Sequence, residues 1–110
     1  MESKLLNLLG IARRAGHVII GFDAVKAALT ASRARLVLLA ADRSAKTEKE
    51  LRYAAQNSPC PIVVIDADKA QIAHALGMQK PVAVAATDDR GFAAAMHKAC
   101  RTDTKEDVAL

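Results

Sequence analysis

From Leu8 to Val25 the chain runs Leu-Leu-Gly-Ile-Ala-Arg-Arg-Ala-Gly-His-Val-Ile-Ile-Gly-Phe-Asp-Ala-Val, and this stretch holds the residues best suited to chemistry. Arg13 and Arg14 put two guanidinium groups at the end of a helix that Gly16 stops. Val18 to Ile20 is a bare apolar strand, and a second helix opens just after Gly21. A helix start with free backbone N–H groups beside two planar cations suits an anion, with phosphate the leading candidate. This is chemistry of binding.

No other pattern supplies a reaction centre. His17, His74 and His97 sit in separate elements without Cys or carboxylate at ligand spacing, so no metal site is expected. Cys60 lies between two prolines and Cys100 at a helix end. Neither has a neighbouring base in sequence, and neither is expected to be a catalytic thiol. Asp88 and Asp89 are explained as a turn residue and a helix cap. Gly16 and Gly21 have the spacing of P-loop glycines, but Phe22-Asp23 stand where Lys and Ser/Thr are required, and the glycines flank the strand instead of following it. No enzyme activity and no cofactor are expected.

These residues need a scaffold. A chain of 110 residues supports one domain with one core, and 52% apolar content makes it globular. Alanine fills 24 positions, which lets helices lie close on a sheet. Residues 1–35 hold six Lys/Arg against two Asp/Glu, while the rest of the chain holds ten of each, so the net charge of +4 is concentrated in the first third. That asymmetry points to an anionic partner, with Lys26, Arg33 and Arg35 extending a basic face from Arg13 and Arg14. The two separate cysteines suit a reducing cytoplasm, and no run of apolar residues reaches the length of a membrane span.

Ser3 caps a helix running to about Ala15, with Leu5, Leu8, Leu9 and Ala12 on one face. Gly10 within it is explained by close packing. The second helix covers Phe22 to Ala31, with Val25, Ala28 and Leu29 inward. Leu36 to Ala40 lacks polar alternation and reads as a strand covered on both faces. Thr47 and Glu50 form a T-x-x-E box opening a third helix that ends near Asn57. Pro59-Cys60-Pro61 leads into a strand from Ile62 to Ile65. Asp68 and Gln71 form a D-x-x-Q cap on a fourth helix that stops at Gly77. Val82 to Ala86 is the last strand, and Asp89 precedes a helix from Arg90 to about Cys100. The order implies a three-layer α/β/α sandwich around a four-stranded mixed sheet. One domain is expected over residues 1–100, with residues 101–110 as a frayed tail.

Three segments carry a resemblance to a known family: Leu9-Gly10-Ile11-Ala12-Arg13-Arg14-Ala15-Gly16 with Gly21; Leu36 to Ser44 with Thr47; and Asp68-Lys69-x-x-Ile72-Ala73-x-Ala75-x-Gly77-Met78-Gln79-Lys80-Pro81-Val82. Asp88-x-x-Gly91-Phe92-Ala93 closes the pattern. From about Leu5 to Ala94 the chain resembles the kink-turn-binding ribosomal-protein family of archaea and eukaryotes, most closely its small bacterial YlxQ-type branch. The resemblance implies an α/β/α sandwich that binds structured RNA without catalysis. It also implies two RNA-contacting surfaces, one at the start of the second helix (Gly21, Phe22, Asp23 and Lys26) and one on the loop Met78, Gln79, Lys80, Pro81, Val82. Kink-turn binders carry Gly-Thr-Asn-Glu-x-x-Lys at the second helix, where this chain has Gly21-Phe22-Asp23-Ala24-Val25-Lys26-Ala27. Only the glycine is kept, so kink-turn specificity is not expected to follow from the family fold. Phe22 is read either as a ring that stacks on a base or as a cover for the sheet, and Val82 either as a base contact or as the start of the strand.

Only Phe22, Tyr53 and Phe92 are aromatic, too few for a single-strand stacking platform, so folded RNA is the better target. Two further readings stand beside this one. The chain acts as a protein-interaction module docking to ribosomal or transcription proteins, or as the recognition domain of an RNA-modifying enzyme. A monomer is expected.

Overall fold

The central sheet is built around an apolar strand with no polar alternation. The computed structural model describes residues 3–102. Its elements are α1 (Lys4–Arg14), β1 (Val18–Ile20), α2 (Phe22–Thr30), β2 (Leu36–Leu39), α3 (Ala45–Ala54), β3 (Ile62–Val64), α4 (Lys69–Leu76), β4 (Val84–Thr87) and α5 (Arg90–Thr102). All four residues of β2 are buried. Leu36 and Leu38 face a core shared with α1, α4 and α5, through Leu9, Ile72, Leu76 and Met96. Val37 and Leu39 face a second core, against Val25, Ala28 and Leu29 of α2 and Leu51 of α3. A strand pointing alternate residues into two cores needs apolar side chains at every position. The three-layer sandwich with a four-stranded mixed sheet is therefore present.

Strand order is β1-β4-β2-β3. β4 runs antiparallel to both β1 and β2, and β3 runs parallel to β2. Strands β1, β2 and β3 thus point the same way, and α2, α3 and α4 all start from the same end of the sheet. That end is where the chain gathers helix N-termini.

Several boundaries differ from the sequence reading. α3 starts at Ala45 with Ser44 as its cap, and the Ser44 hydroxyl oxygen accepts from the Thr47 N–H at 3.1 Å. Thr47 is therefore inside the first turn, and the T-x-x-E box does not open the helix. The earlier start adds a turn of helix ahead of Glu48, which pairs with Arg52 one turn on at 2.9 Å. β4 begins at Val84 rather than Val82, because the Val82 N–H donates to Lys69 O at 3.1 Å and docks that residue onto α4. β3 ends at Val64, one residue short. α5 continues to Thr102, so the first two residues of the expected tail are helical, and the rest of that tail lies outside the described residues. Gly10 is explained by the α1–α4 contact: a Cβ there would sit 3.1 Å from Ala75 O.

Candidate nucleic-acid interface

Three helices begin at the same end of the sheet, and they begin differently. α4 is closed by the expected box, with Asp68 Oδ1 accepting from the Gln71 N–H at 2.8 Å and Gln71 Oε1 from the Asp68 N–H at 2.9 Å. Asp42 Oδ1 takes the next donor, the Lys69 N–H, at 2.9 Å. α3 has Ser44. α2 has Gly21 and no side-chain cap. Helix N-termini carry unsatisfied N–H groups and a partial positive charge, so the uncapped start at Phe22, Asp23 and Ala24 is the natural anion site of the three.

Gly21 makes that opening. Its φ of 99° and ψ of 158° lie in a region essentially restricted to glycine. Its N–H donates to Val84 O at 3.0 Å and its C=O accepts from the Val25 N–H at 3.0 Å, so the residue is fixed to sheet and helix together.

In front of this helix start lies a cleft of about 250 Å³, lined by Ile20, Gly21, Phe22, Thr47 and the segment Met78 to Val84 with the exception of Gln79. Most of the lining is apolar. The volume falls below the roughly 300–1,000 Å³ of small-molecule pockets, and it suits a single planar base better than a whole cofactor. Lys80 supplies a cation at the rim. The cleft joins the helix-2 start to the distant loop, two regions separated by more than fifty residues of sequence.

The loop is fixed from several sides. The Met78 N–H donates to Ala73 O at 2.8 Å, and Val82 is held on Lys69 O. Arg13 Nη1 donates to Leu76 O at 2.6 Å, at the last residue of α4 before Gly77. Met78, Gln79, Lys80 and Pro81 are exposed, whereas Val82 is 5% exposed and belongs to the core.

The expected site residues therefore separate into groups. Gly21, Phe22, Met78, Lys80, Pro81 and Val82 line one cleft, and Val82 does so from a core position that also explains its apolar character. Asp23 is exposed in the first turn of α2, and Gln79 is exposed on the loop outside the cleft lining. Lys26 lies over the Phe22 ring at 5.7 Å and 3.9 Å from Glu50 Oε1. Phe22 packs against the α2–α3 core, so its ring is shared between core, Lys26 and cleft. Arg13 holds the end of α4. Arg14 lines a different groove, between α1 and α4 with His74 and Gln71, that shares no residue with the cleft.

Arg35 lies away from the start of α2. The Arg35 N–H donates to Thr87 O while the Gly21 N–H donates to Val84 O, so these residues mark opposite ends of β4, roughly 10 Å apart. Arg33 and Arg35 belong to the far pole with His17, whose Nδ1 lies 3.0 Å from Asp88 Oδ1. Ile20, Thr47, Ala83 and Val84 also line the cleft and are not among the site residues expected from sequence. Thr47 is conspicuous in the sequence, but there its hydroxyl reads as a helix cap.

Burial pushes the Cys60 thiol up, with a smaller opposing pull from Arg35, so the thiolate is disfavoured at neutral pH. Among the described residues no helix is long and apolar enough to cross a membrane, and no three His, Cys, Asp or Glu come together as a metal site.

Residues 3–97 match the ribosomal protein L7Ae/L30e/S12e/Gadd45 family. The chain is 36% identical over 86 residues to the RNA-binding protein YlxQ of Bacillus subtilis strain 168, covering 78% of this chain and 84% of that protein. It is 32% identical over 92 residues to the RNA-binding protein YlxQ of Enterococcus faecium, covering 84% and 86%. Among solved structures, a protein of unknown function from Bacillus halodurans superposes with a TM-score of 0.82 at 28% identity, covering 90% of this chain and 98% of the other. The Giardia lamblia 15.5kD RNA binding protein shares the fold, with a TM-score of 0.72 at 21% identity over 94% and 93%. Sequence and architecture agree over nearly the whole chain, which belongs to the ribosomal protein L7Ae/L30e/S12e/Gadd45 family.

Proposed function

We propose that this chain is a non-catalytic RNA-binding protein that recognises structured RNA with the start of α2 and the Met78–Val82 loop. The observation that carries the reading is the uncapped N-terminus of α2 facing an apolar cleft with Lys80 at its rim. Its relatives named RNA-binding proteins support the same assignment.

Each part of the site has a role. The N–H groups of Phe22, Asp23 and Ala24 receive a phosphate, helped by the helix dipole. The apolar cleft takes an unstacked base between Met78, Pro81 and the floor at Ile20, and Lys80 neutralises the adjoining backbone. Arg13 acts as a positioning residue for the loop through Leu76 O. Asp23, an exposed carboxylate in the first turn, repels a phosphate brought close on its side and so restricts how RNA approaches. With Ala24 and Ala27 offering no hydrogen bonds to base edges, the chain reads RNA shape and backbone more than sequence, and strict kink-turn specificity is absent. The protein works in the cytoplasm on ribosomal or transcription-associated RNA.

The test is ultraviolet crosslinking to cellular RNA followed by sequencing, in parallel with a Lys80→Glu variant. Recovery of defined folded RNAs, reduced at least tenfold by Lys80→Glu, is expected. Equal recovery from both proteins contradicts the site. Partners that survive nuclease treatment while RNA recovery stays at background would favour a protein-docking role instead.

A further inference from the structure

Away from the cleft, α3 displays more positive charge than the fold uses. Residues 43–53 hold Arg43, Lys46, Lys49 and Arg52 against Glu48 and Glu50. Both carboxylates are taken. Glu48 lies between Arg43 and Arg52 at 2.8 and 2.9 Å, and these two arginines, Arg52 foremost, hold its carboxyl below the usual range. Glu50 is shared by Lys26 and Lys46 at 3.9 and 4.0 Å. Two anions thus face five cations, counting Lys26. Lys46 is 87% exposed, and Lys49 makes no ion pair among the described residues.

Spacing organises this surplus. Lys46, Lys49 and Tyr53 are three and four residues apart, which places them on one face of the helix. Tyr53 is 72% exposed, more than any other large hydrophobic side chain among the described residues. Packing gives no reason for an aromatic ring there. Lysines and an exposed ring along one stripe match what RNA offers, phosphates beside unstacked bases. The stripe lies next to the α2 region: Lys46 adjoins Thr47, which lines the cleft, and shares Glu50 with Lys26.

We propose that the outer face of α3 is a second RNA-contacting strip, which carries the nucleic acid onward from the α2 cleft. Lys46 and Lys49 meet phosphates, and Tyr53 meets an unpaired base. The proposal rests on the RNA-binding reading above and deepens it, because the family resemblance placed contacts on α2 and the loop alone.

The test uses the full chain and labelled, refolded fragments of bacterial ribosomal RNA, with filter binding over a series of salt concentrations. Each lost phosphate contact reduces the log–log salt slope by about 0.7–0.9, so Lys46→Ala/Lys49→Ala reduces it by about 1.4–1.8 and weakens binding about tenfold. Tyr53→Ala weakens binding about fivefold with the slope unchanged, and Tyr53→Phe binds like the parent. Circular dichroism and melting of each variant establish that it is folded. An unchanged affinity and slope for the double variant, while Lys80→Glu still loses binding, overturns the strip and leaves the cleft standing. Failure of the parent protein to bind these RNAs at any salt concentration overturns both. Loss of poly-glutamate binding in the double variant with RNA binding intact would assign the strip to acidic proteins and also overturn the proposal.

Discussion

The starts of α2 and α4 stand at the same end of one sheet, yet one is open and the other closed. α4 has Asp68, Gln71 and Asp42 arranged around its first N–H groups. α2 has a glycine and no side-chain cap. A side-chain cap is worth about 0.5–2 kcal/mol against alanine, and without one the first N–H groups of α2 keep their capacity to donate to a ligand, as the proposed RNA site requires. The closed end in turn supports the other surface of the proposed site, since Lys69 O at the start of α4 accepts from the Val82 N–H at the end of the Met78–Val82 loop.

Replacing Gly21 is the strongest way to break this comparison. Apart from its chain neighbours, no heavy atom lies within 4 Å of a Cβ placed there, so the strain of Gly21→Val comes chiefly from its φ of 99°. Denaturant unfolding should show a loss of about 1–3 kcal/mol. RNA affinity should fall more than tenfold as the helix start turns away. Retention of full affinity would mean that the open N-terminus is not the site.

Asp68→Ala is the matched change on the closed helix. It should cost about 0.5–2 kcal/mol of stability, since the cap accepts from the Gln71 N–H. RNA affinity should change far less than with Gly21→Val. Equal losses of affinity for the two variants would erase the distinction between the helices.

Much of this contrast is legible in the sequence. The D-x-x-Q spacing identified the α4 box because both partners have few other uses there. Gly16 and Gly21 bracketed β1 correctly, and the uninterrupted run from Leu36 identified the doubly covered strand. Ser44 and Thr47 were harder. Both are good caps and stand three residues apart, and the structure uses Ser44, whose oxygen accepts from the Thr47 N–H. Arg13 and Arg14 looked equivalent in sequence. Helical geometry turns neighbouring residues about 100° apart, sending Arg13 to Leu76 O and Arg14 into the α1–α4 groove. No local signal encodes that choice, because Leu76 lies 63 residues away.

Arg13 sharpens the comparison by separating positioning from contact. Arg13→Ala should lower stability by about 1 kcal/mol through the lost charge-assisted bond to Leu76 O. It should weaken RNA binding several-fold without altering the salt slope, as measured by titration over a salt series. A slope reduced by a full contact would identify Arg13 as a phosphate ligand.

The smallest effect belongs to Glu48. Its carboxyl is held below its ordinary range by Arg52 and Arg43, so its folded pKa is below the unfolded one. Its contribution is present above the unfolded pKa and is lost as pH falls through the folded pKa. Glu48→Gln should therefore flatten the acid limb of the stability–pH profile slightly and leave stability near pH 2 unchanged. An identical acid limb in parent and variant would show that these arginines do not stabilise the ionised carboxylate.

Backbone amide chemical shifts during titration with folded ribosomal RNA fragments test the central claim most directly. The account predicts that the amides of Phe22, Asp23 and Ala24 shift strongly together with Met78 and Lys80, while Lys69, Ala70 and Gln71 at the start of α4 move little. Large shifts at the start of α4 with a silent α2 would contradict it.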